Sequence, residues 1–288
     1  YREESRKITS VTKAQFEKVY EDAVRLDQDE IAKQYNIAYD QAGPIAPSAV
    51  FCRCLMENLG VQTLWFPDYS LCDGLAYDYG VKNRYLKNSH DFEEDIIAAA
   101  RSIAKRYKCN QAHIRNLEEI ALLVFDRMKK VHGMGKRERL LLQISIILHN
   151  CGKFISLENV SECAYYIIMA TEIIGLSHTE REMIAYTVKF NTSPFENYED
   201  LAVRTALTRS EYMVVAKLTA ILRIVNALDR THRQKCRNVT VTLKEHELRI
   251  TIASAADLSL EAGTFESKAE FFEEIFNVHP VLKQRKQM

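Results

Sequence analysis

Glycine and proline are scarce in this chain, nine and five among 288 residues. That scarcity excludes collagen-like and Gly/Pro-rich low-complexity architectures and leaves room for long uninterrupted helices. There is no excess of charge of either sign: 39 Lys and Arg balance 39 Asp and Glu. No global field therefore argues for nucleic acid or for an anionic membrane as a partner. No apolar run reaches the ~18 residues a spanning helix needs, and no signal peptide opens the chain. The seven cysteines form no Cys-x-x-Cys pair, Cys52 and Cys54 having one residue between them. A scattered, odd count fits reduced thiols in the cytoplasm rather than a disulfide frame. A Gly-rich phosphate loop is missing as well, since Gly133 and Gly135 flank only Met134. Spacing supports no Ser–His–Asp or Cys–His triad. The opening Tyr-Arg-Glu-Glu-Ser-Arg-Lys-Ile has neither a start Met nor targeting character and reads as a chain cut from something longer.

What is present is helical periodicity. Residues 12–35 predict two helices, with Asp27 as the cap between them and Glu30 three residues on. A third helix is expected over 45–59. Val61 to Phe66 reads as a short strand with Trp65 in the core, and Asp73 and Asp78 then flank a Gly turn in turn or cap roles. One strand cannot make a sheet, so its partners are expected in missing sequence or elsewhere in the fold. From Asp91 to about His232 the pattern is helical throughout. Residues 138–149 form a nearly all-apolar helix that should be central, and the longest helix is expected from Arg209 to Thr231. The tail changes period: Val239, Val241 and Leu243, then Leu248, Ile250 and Ile252, alternate as a hairpin does. A helix over 267–277 and a basic end close the chain.

The chemistry-bearing constellation lies in the helical part. A divalent metal at a hydrolytic site takes imidazoles, carboxylate oxygens and an open position for water. His113 lies on the apolar stripe of one helix, His149 ends the next, and Asp229 stands near the end of a later one. This order of His, His-Asp and distant Asp is that of HD-type phosphohydrolases, except that Asn150 stands where the Asp would be. An amide offers one neutral oxygen where a carboxylate would offset cation charge. His113, His149, Asn150 and Asp229 are therefore expected to form a degenerate site that holds no metal. Lys153 could meet a phosphate. Basic residues cluster at Lys129, Lys130, His132, Lys136, Arg137 and Arg139, and at Arg230, His232, Arg233, Lys235 and Arg237. The second cluster is the preferred polyanion patch, because spaced positive charge suits a linear polyanion by counterion release.

Three segments carry a family resemblance. They are Ser70-Leu71-Cys72-Asp73-Gly74-Leu75-Ala76-Tyr77-Asp78; His113 through Leu148-His149-Asn150-Cys151-Gly152-Lys153-Phe154-Ile155-Ser156; and Leu222-Arg223-Ile224-Val225-Asn226-Ala227-Leu228-Asp229-Arg230. In this order the chain resembles the exopolyphosphatase/guanosine pentaphosphate phosphatase (Ppx/GppA) family, over about 12–232 and more loosely through the tail. It departs from that family at Val160-Ser161-Glu162-Cys163-Ala164, where many members are His-rich, and at Lys189-Phe190-Asn191, where a His is common. The resemblance implies a mostly α chain with an HD-like helical bundle over 86–236. An α/β remnant of an actin-like (ribonuclease H-like) domain would occupy 1–85, and a small α+β domain 237–288. The family's phosphate loops and catalytic Glu would lie upstream, so no catalytic residue is assigned. The resemblance further implies polyphosphate or pppGpp as substrate of the parent enzyme, Mg as its cofactor, no cofactor bound by this chain, and a homodimer. No membrane or nucleic-acid partner is expected. The alternatives are an autonomous HD-type metal phosphohydrolase and a purely structural interaction module.

Overall fold

The computed structural model describes residues 9–66, 69–87 and 90–285. The chain divides into two compact units, 1–89 and 90–288, and is mostly helical. The first unit runs β1 (Thr9–Thr12), α1 (Lys13–Arg25), α2 (Gln28–Tyr35), α3 (Tyr39–Ala42), α4 (Ile45–Leu59), β2 (Thr63–Phe66) and α5 (Leu71–Lys82). Its helices begin where the sequence supplies caps. Thr12 with Gln15, Asp27 with Glu30, and Ser70 with Asp73 each form a reciprocal capping box. Left-handed Asn36 and Gly60 end α2 and α4.

The partner of the predicted strand is β1, paired antiparallel to β2 from Thr9 opposite Phe66 to Thr12 opposite Thr63. Phe16, Ala23, Ala49 and Met56 form the small core. Trp65 does not join it: the ring is 67% exposed, a correction to its expected core role. Gly74 is likewise not in a turn but inside α5, with Asp73 in the first helical turn and Asp78 paired to Lys82 at 2.6 Å. Phe51, Leu55 and Leu59 on α4, and Leu71, Leu75 and Tyr79 on α5, repeat every four residues, so each helix presents an exposed apolar stripe.

The second unit contains α6 (Phe92–Arg106), α7 (Gln111–Arg127), α8 (Lys129–His132), α9 (Lys136–Leu148), a 3₁₀ turn (Cys151–Phe154), α10 (Val160–Ala170), α11 (His178–Lys189), α12 (Tyr198–Ala202) and α13 (Arg209–Ala227). The tail adds β3 (Val239–Lys244), β4 (Glu247–Ala253), α14 (Ser259–Phe276) and β5 (His279–Arg285). Helix α9 is central, as its composition requires: every residue from Leu140 to Leu148 except Gln143 is buried, and α6, α7, α11 and α13 pack around it. Strands β3 and β4 form the expected hairpin, with Leu248, Ile250 and Ile252 buried on one face.

Two tail elements differ from the sequence reading. Helix α14 starts eight residues before the expected Ser267, and its stripe is Phe265, Ala269, Phe272 and Phe276. The basic end is a strand, β5, running parallel to β4. Its last three residues are exposed, which hides the alternation that marks a strand. Buried side chains of the tail belong to the same core cluster as those of the bundle, and α14 packs along α13. Phe272→Ala should therefore cost about 3–5 kcal/mol and lower a single melting transition that covers bundle and tail. Calorimetry of the chain checks this, and two separated transitions would contradict it.

Candidate functional site

His113 sits in the first turn of α7, where the Asn110 side chain caps its backbone N–H at 3.1 Å. His149 is the residue that ends α9. Asp229 does not lie within the long helix, as expected, but in the turn just past it, since α13 stops at Ala227. The three side chains converge, at 1%, 3% and 1% exposure respectively.

Their hydrogen bonds fix the proton inventory. The Ile146 carbonyl accepts from His149 Nδ1 at 2.6 Å, so the His149 proton is on Nδ1 and its Nε2 bears a lone pair. Burial and the neighbouring positive charge of His113 push His149 down to about 3, which keeps it neutral. Its Nε2 faces His113 Nε2 at 3.2 Å, and His113 Nδ1 faces Asp229 Oδ2 at 2.8 Å. His113 thus lies within hydrogen-bond distance of the His149 ring on one side and of the Asp229 carboxylate on the other. Burial works against the Asp229 carboxylate, but His113 and Gln234 hold it below the ordinary range. The Gln234 backbone N–H donates to Asp229 Oδ1 at 2.7 Å. Gln234 and His232 both have positive φ, 48° and 56°. This strained turn places the His232 ring flat on His113, with centroids 3.8 Å apart and planes 5° from parallel. Burial and the charges of His113 and Lys153 lower His232 to about 4.

The residues present do not fit a metal ion. One Asp229 oxygen is taken by His113 and the other by the Gln234 backbone, and Asn150 contributes no charge. Among the described residues, no group of three or more His, Cys, Asp or Glu is arranged to hold a cation. The Gly of the His-x-x-Gly-Lys motif has a steric role: a Cβ at Gly152 would lie 2.0 Å from the Val160 carbonyl oxygen and 2.7 Å from the Ala164 nitrogen. The 3₁₀ turn can press against α10 only because that Cβ is missing.

Beside the histidines opens a cavity of about 360 Å³, lined by His149, Asn150, Lys153, Ser161, Arg230 and His232, with Glu158 as the one carboxylate of its lining. Partial burial and the nearby Arg230 charge lower Lys153 below the ordinary amine range. The chemistry on offer is anion binding: cations, amides and neutral imidazoles face one space.

Of the expected polyanion patch, only Arg230 and His232 reach this cavity, together with Lys153. Lys235 is turned inward, bonded to the Asp257 carbonyl at 2.9 Å and to the fully buried Glu261 at 3.2 Å. Arg233 and Arg237 are exposed and line neither this cavity nor its neighbour. Three members of the earlier basic cluster are engaged within the fold: Arg137 pairs with Glu180 at 2.5 Å, Arg139 pairs with Asp126 at 2.8 Å, and buried His132 donates to the Phe125 carbonyl. Sequence reasoning missed Arg223, Lys268 and Asn191. They line a second cavity of about 410 Å³ that shares Thr192, Asn226 and Arg230 with the first. Arg223 sits inside an apolar run and Lys268 in the tail helix, so spacing gave no signal for either.

A family model for domain III of the Ppx/GppA phosphatases matches residues 97–267. The chain belongs to the Ppx/GppA phosphatase family. The span that matches this Ppx/GppA domain includes the histidine chain, Lys153, Arg230 and the first half of α14. Over 201 residues the chain is 20% identical to the guanosine-5'-triphosphate,3'-diphosphate pyrophosphatase of Photobacterium profundum, an alignment covering 70% of this chain and 38% of that protein. The chain thus spans well under half the length of this Ppx/GppA relative. No helix among its described residues is long and apolar enough to cross a membrane.

Two outcomes follow from this geometry. Gly152→Ala should lower stability by about 2–4 kcal/mol, read by denaturant unfolding. His149 and His232 have folded values well below that of a free imidazole, so the unfolded chain takes up protons first as pH falls. Stability should be full above ~6.5 and should drop as pH falls from there toward 4, with a slope approaching about two protons. His232→Asn should reduce that slope by about one proton; an unchanged slope would contradict the assignment.

Proposed function

We propose that this chain is the C-terminal portion of an exopolyphosphatase or pppGpp phosphatase-type phosphohydrolase, in which it binds the polyanionic substrate and pairs two copies into a dimer. The observation that carries this reading is the meeting of Lys153, after α9, and Arg230, after α13, at one cavity without a carboxylate partner for either among the described residues. The name of the Photobacterium relative supports a phosphorylated guanosine or a related condensed phosphate as the parent enzyme's substrate. In this reading residues 1–85 close the second actin-like domain. The exposed apolar stripes of α4 and α5 are the face such a domain would cover. The bundle (86–236) and tail (237–288) present the anion site, catalysis and its Mg belong to the actin-like domains, and the enzyme works in the cytoplasm.

The test is a phosphate-release assay on this chain beside its full-length parent, using polyphosphate and pppGpp. The chain alone should release none. The parent carrying either Lys153→Gln or Arg230→Gln should show KM for polyphosphate raised about tenfold or more with kcat little changed, since one lost charge-assisted contact is worth roughly 1.5–3 kcal/mol. Robust turnover by the isolated chain, or an unmoved KM, would refute the proposal.

A further inference from the structure

Away from the histidines, the sheet of the tail ends in an edge that pairs with nothing among the described residues. Strand β5 is hydrogen-bonded to β4 alone. The His279 N–H donates to the His246 carbonyl at 2.7 Å, and the Ser254 N–H donates to the Arg285 carbonyl at 3.2 Å. In a parallel ladder these two bonds turn the backbone of the odd-numbered residues of β5 toward β4. The even-numbered residues Pro280, Leu282 and Gln284 therefore turn their backbone groups outward. Pro280 has no N–H to leave unmade at such a position. Leu282 and Gln284 each present an N–H and a carbonyl, and no described residue bonds to them.

The two faces beside that edge differ in chemistry. Pro280 and Leu282 lie in register with buried Leu248 and Ile250, on the side of α14. There a slot of about 270 Å³ is lined by α14 and β5 alone, with Ala262, Phe265 and Ala269 on the helix and Pro280 and Leu282 on the strand. Exposed Glu266 also lines it, so a carboxylate entering the slot is repelled. Lys283 and Arg285 stand exposed on the opposite, open face, in register with Thr251 and Ala253. Neither has a carboxylate partner among the described residues. Glu247 on that face is already taken, pairing with Arg249 at 2.7 Å.

We propose that the β5 edge is a docking site for an extended segment of a partner protein in which apolar residues alternate with Asp or Glu. Side chains of a strand point alternately to its two faces, so a strand added to β5 sends every second residue toward the slot and the others over Lys283 and Arg285. The outward backbone groups of Leu282 and Gln284 supply the pairing. The slot takes the apolar side chains, and the two cations take the acidic ones. Glu266 rejects the opposite phase, in which carboxylates would face the helix. Proline and cations on an edge also discourage indiscriminate pairing between chains. A slot with apolar walls is not needed for that, and it makes this edge selective rather than closed. The docking site belongs to the tail sheet and does not depend on the anion cavity.

The test uses the full 288-residue chain at low ionic strength and a capped, dye-labelled peptide of alternating glutamate and valine, with an alternating lysine and valine peptide as control. Anisotropy should show binding of the glutamate peptide and not of the lysine peptide. At saturation, hydrogen exchange of the Leu282 and Gln284 amides should slow about tenfold or more. Lys283→Glu combined with Arg285→Glu should weaken the glutamate peptide about tenfold and let the lysine peptide bind. Ala262→Phe, at an exposed helix position, should fill the slot and weaken the glutamate peptide about tenfold while the melting temperature holds. Leu282 and Gln284 amides already protected in the unbound chain would show the edge to be covered and overturn the proposal. Binding that leaves their exchange unchanged would reduce the contact to charge and overturn it too. Equal binding of both peptides by the unaltered chain, or of neither, would overturn the partner chemistry.

Discussion

One buried chain of hydrogen bonds organises the second unit: Asp229 to His113, His113 to His149, and His149 to the Ile146 carbonyl. It joins α7, the end of α9 and the turn after α13, across sequence separations of 36 residues between the histidines and 116 between His113 and Asp229. Such a pair does little for net stability compared with well-packed apolar residues, but breaking it strands a charge in the core at a cost of about 3–5 kcal/mol. Its value is in specification. Because each ring nitrogen has one acceptor or one donor to meet, only one register of the three elements satisfies all of them.

The same chain accounts for the character of the cavity beside it. In an HD-type metal centre, carboxylates gather around cations, and the cations meet the substrate. Here the two oxygens of Asp229 are taken by the His113 ring and the Gln234 backbone N–H, and Asn150 adds no charge. The surrounding Lys153 and Arg230 are then left without a counter-charge. The cavity beside the histidines is lined by Lys153 and Arg230, with Glu158 as its one carboxylate.

Much of this was legible in the sequence, for physical reasons. Helix α4 was expected over 45–59 and spans those residues, because proline at its start and glycine at its end are local signals. The central position of α9 followed from a face that is apolar all round. The order His113, His149, Asp229 announced their convergence. What could not be read was pairing across the chain. Lys235 looked like part of a polyanion patch, but Glu261, 26 residues away and fully buried, takes its amine. Arg223 looked like a misplaced charge in an apolar helix until the Phe190 and Ser193 carbonyls and the Phe271 ring gave it a socket. Strand β1, with Thr9, Ser10 and Thr12 around a single valine, carries too little apolar pattern to be seen without β2 beside it.

Glu261 has a consequence for how this architecture can be divided. It lies in the tail helix α14, yet it receives Thr231 and Lys235 from the turn that carries Asp229 and His232. That turn includes two residues in a left-handed conformation, which relaxes unless something clamps it. The tail helix is that clamp. The smallest transplantable piece that keeps the histidine chain intact therefore extends through α14, and a recombination breakpoint placed at the end of the bundle would deliver the helices but unlace the site they were meant to carry.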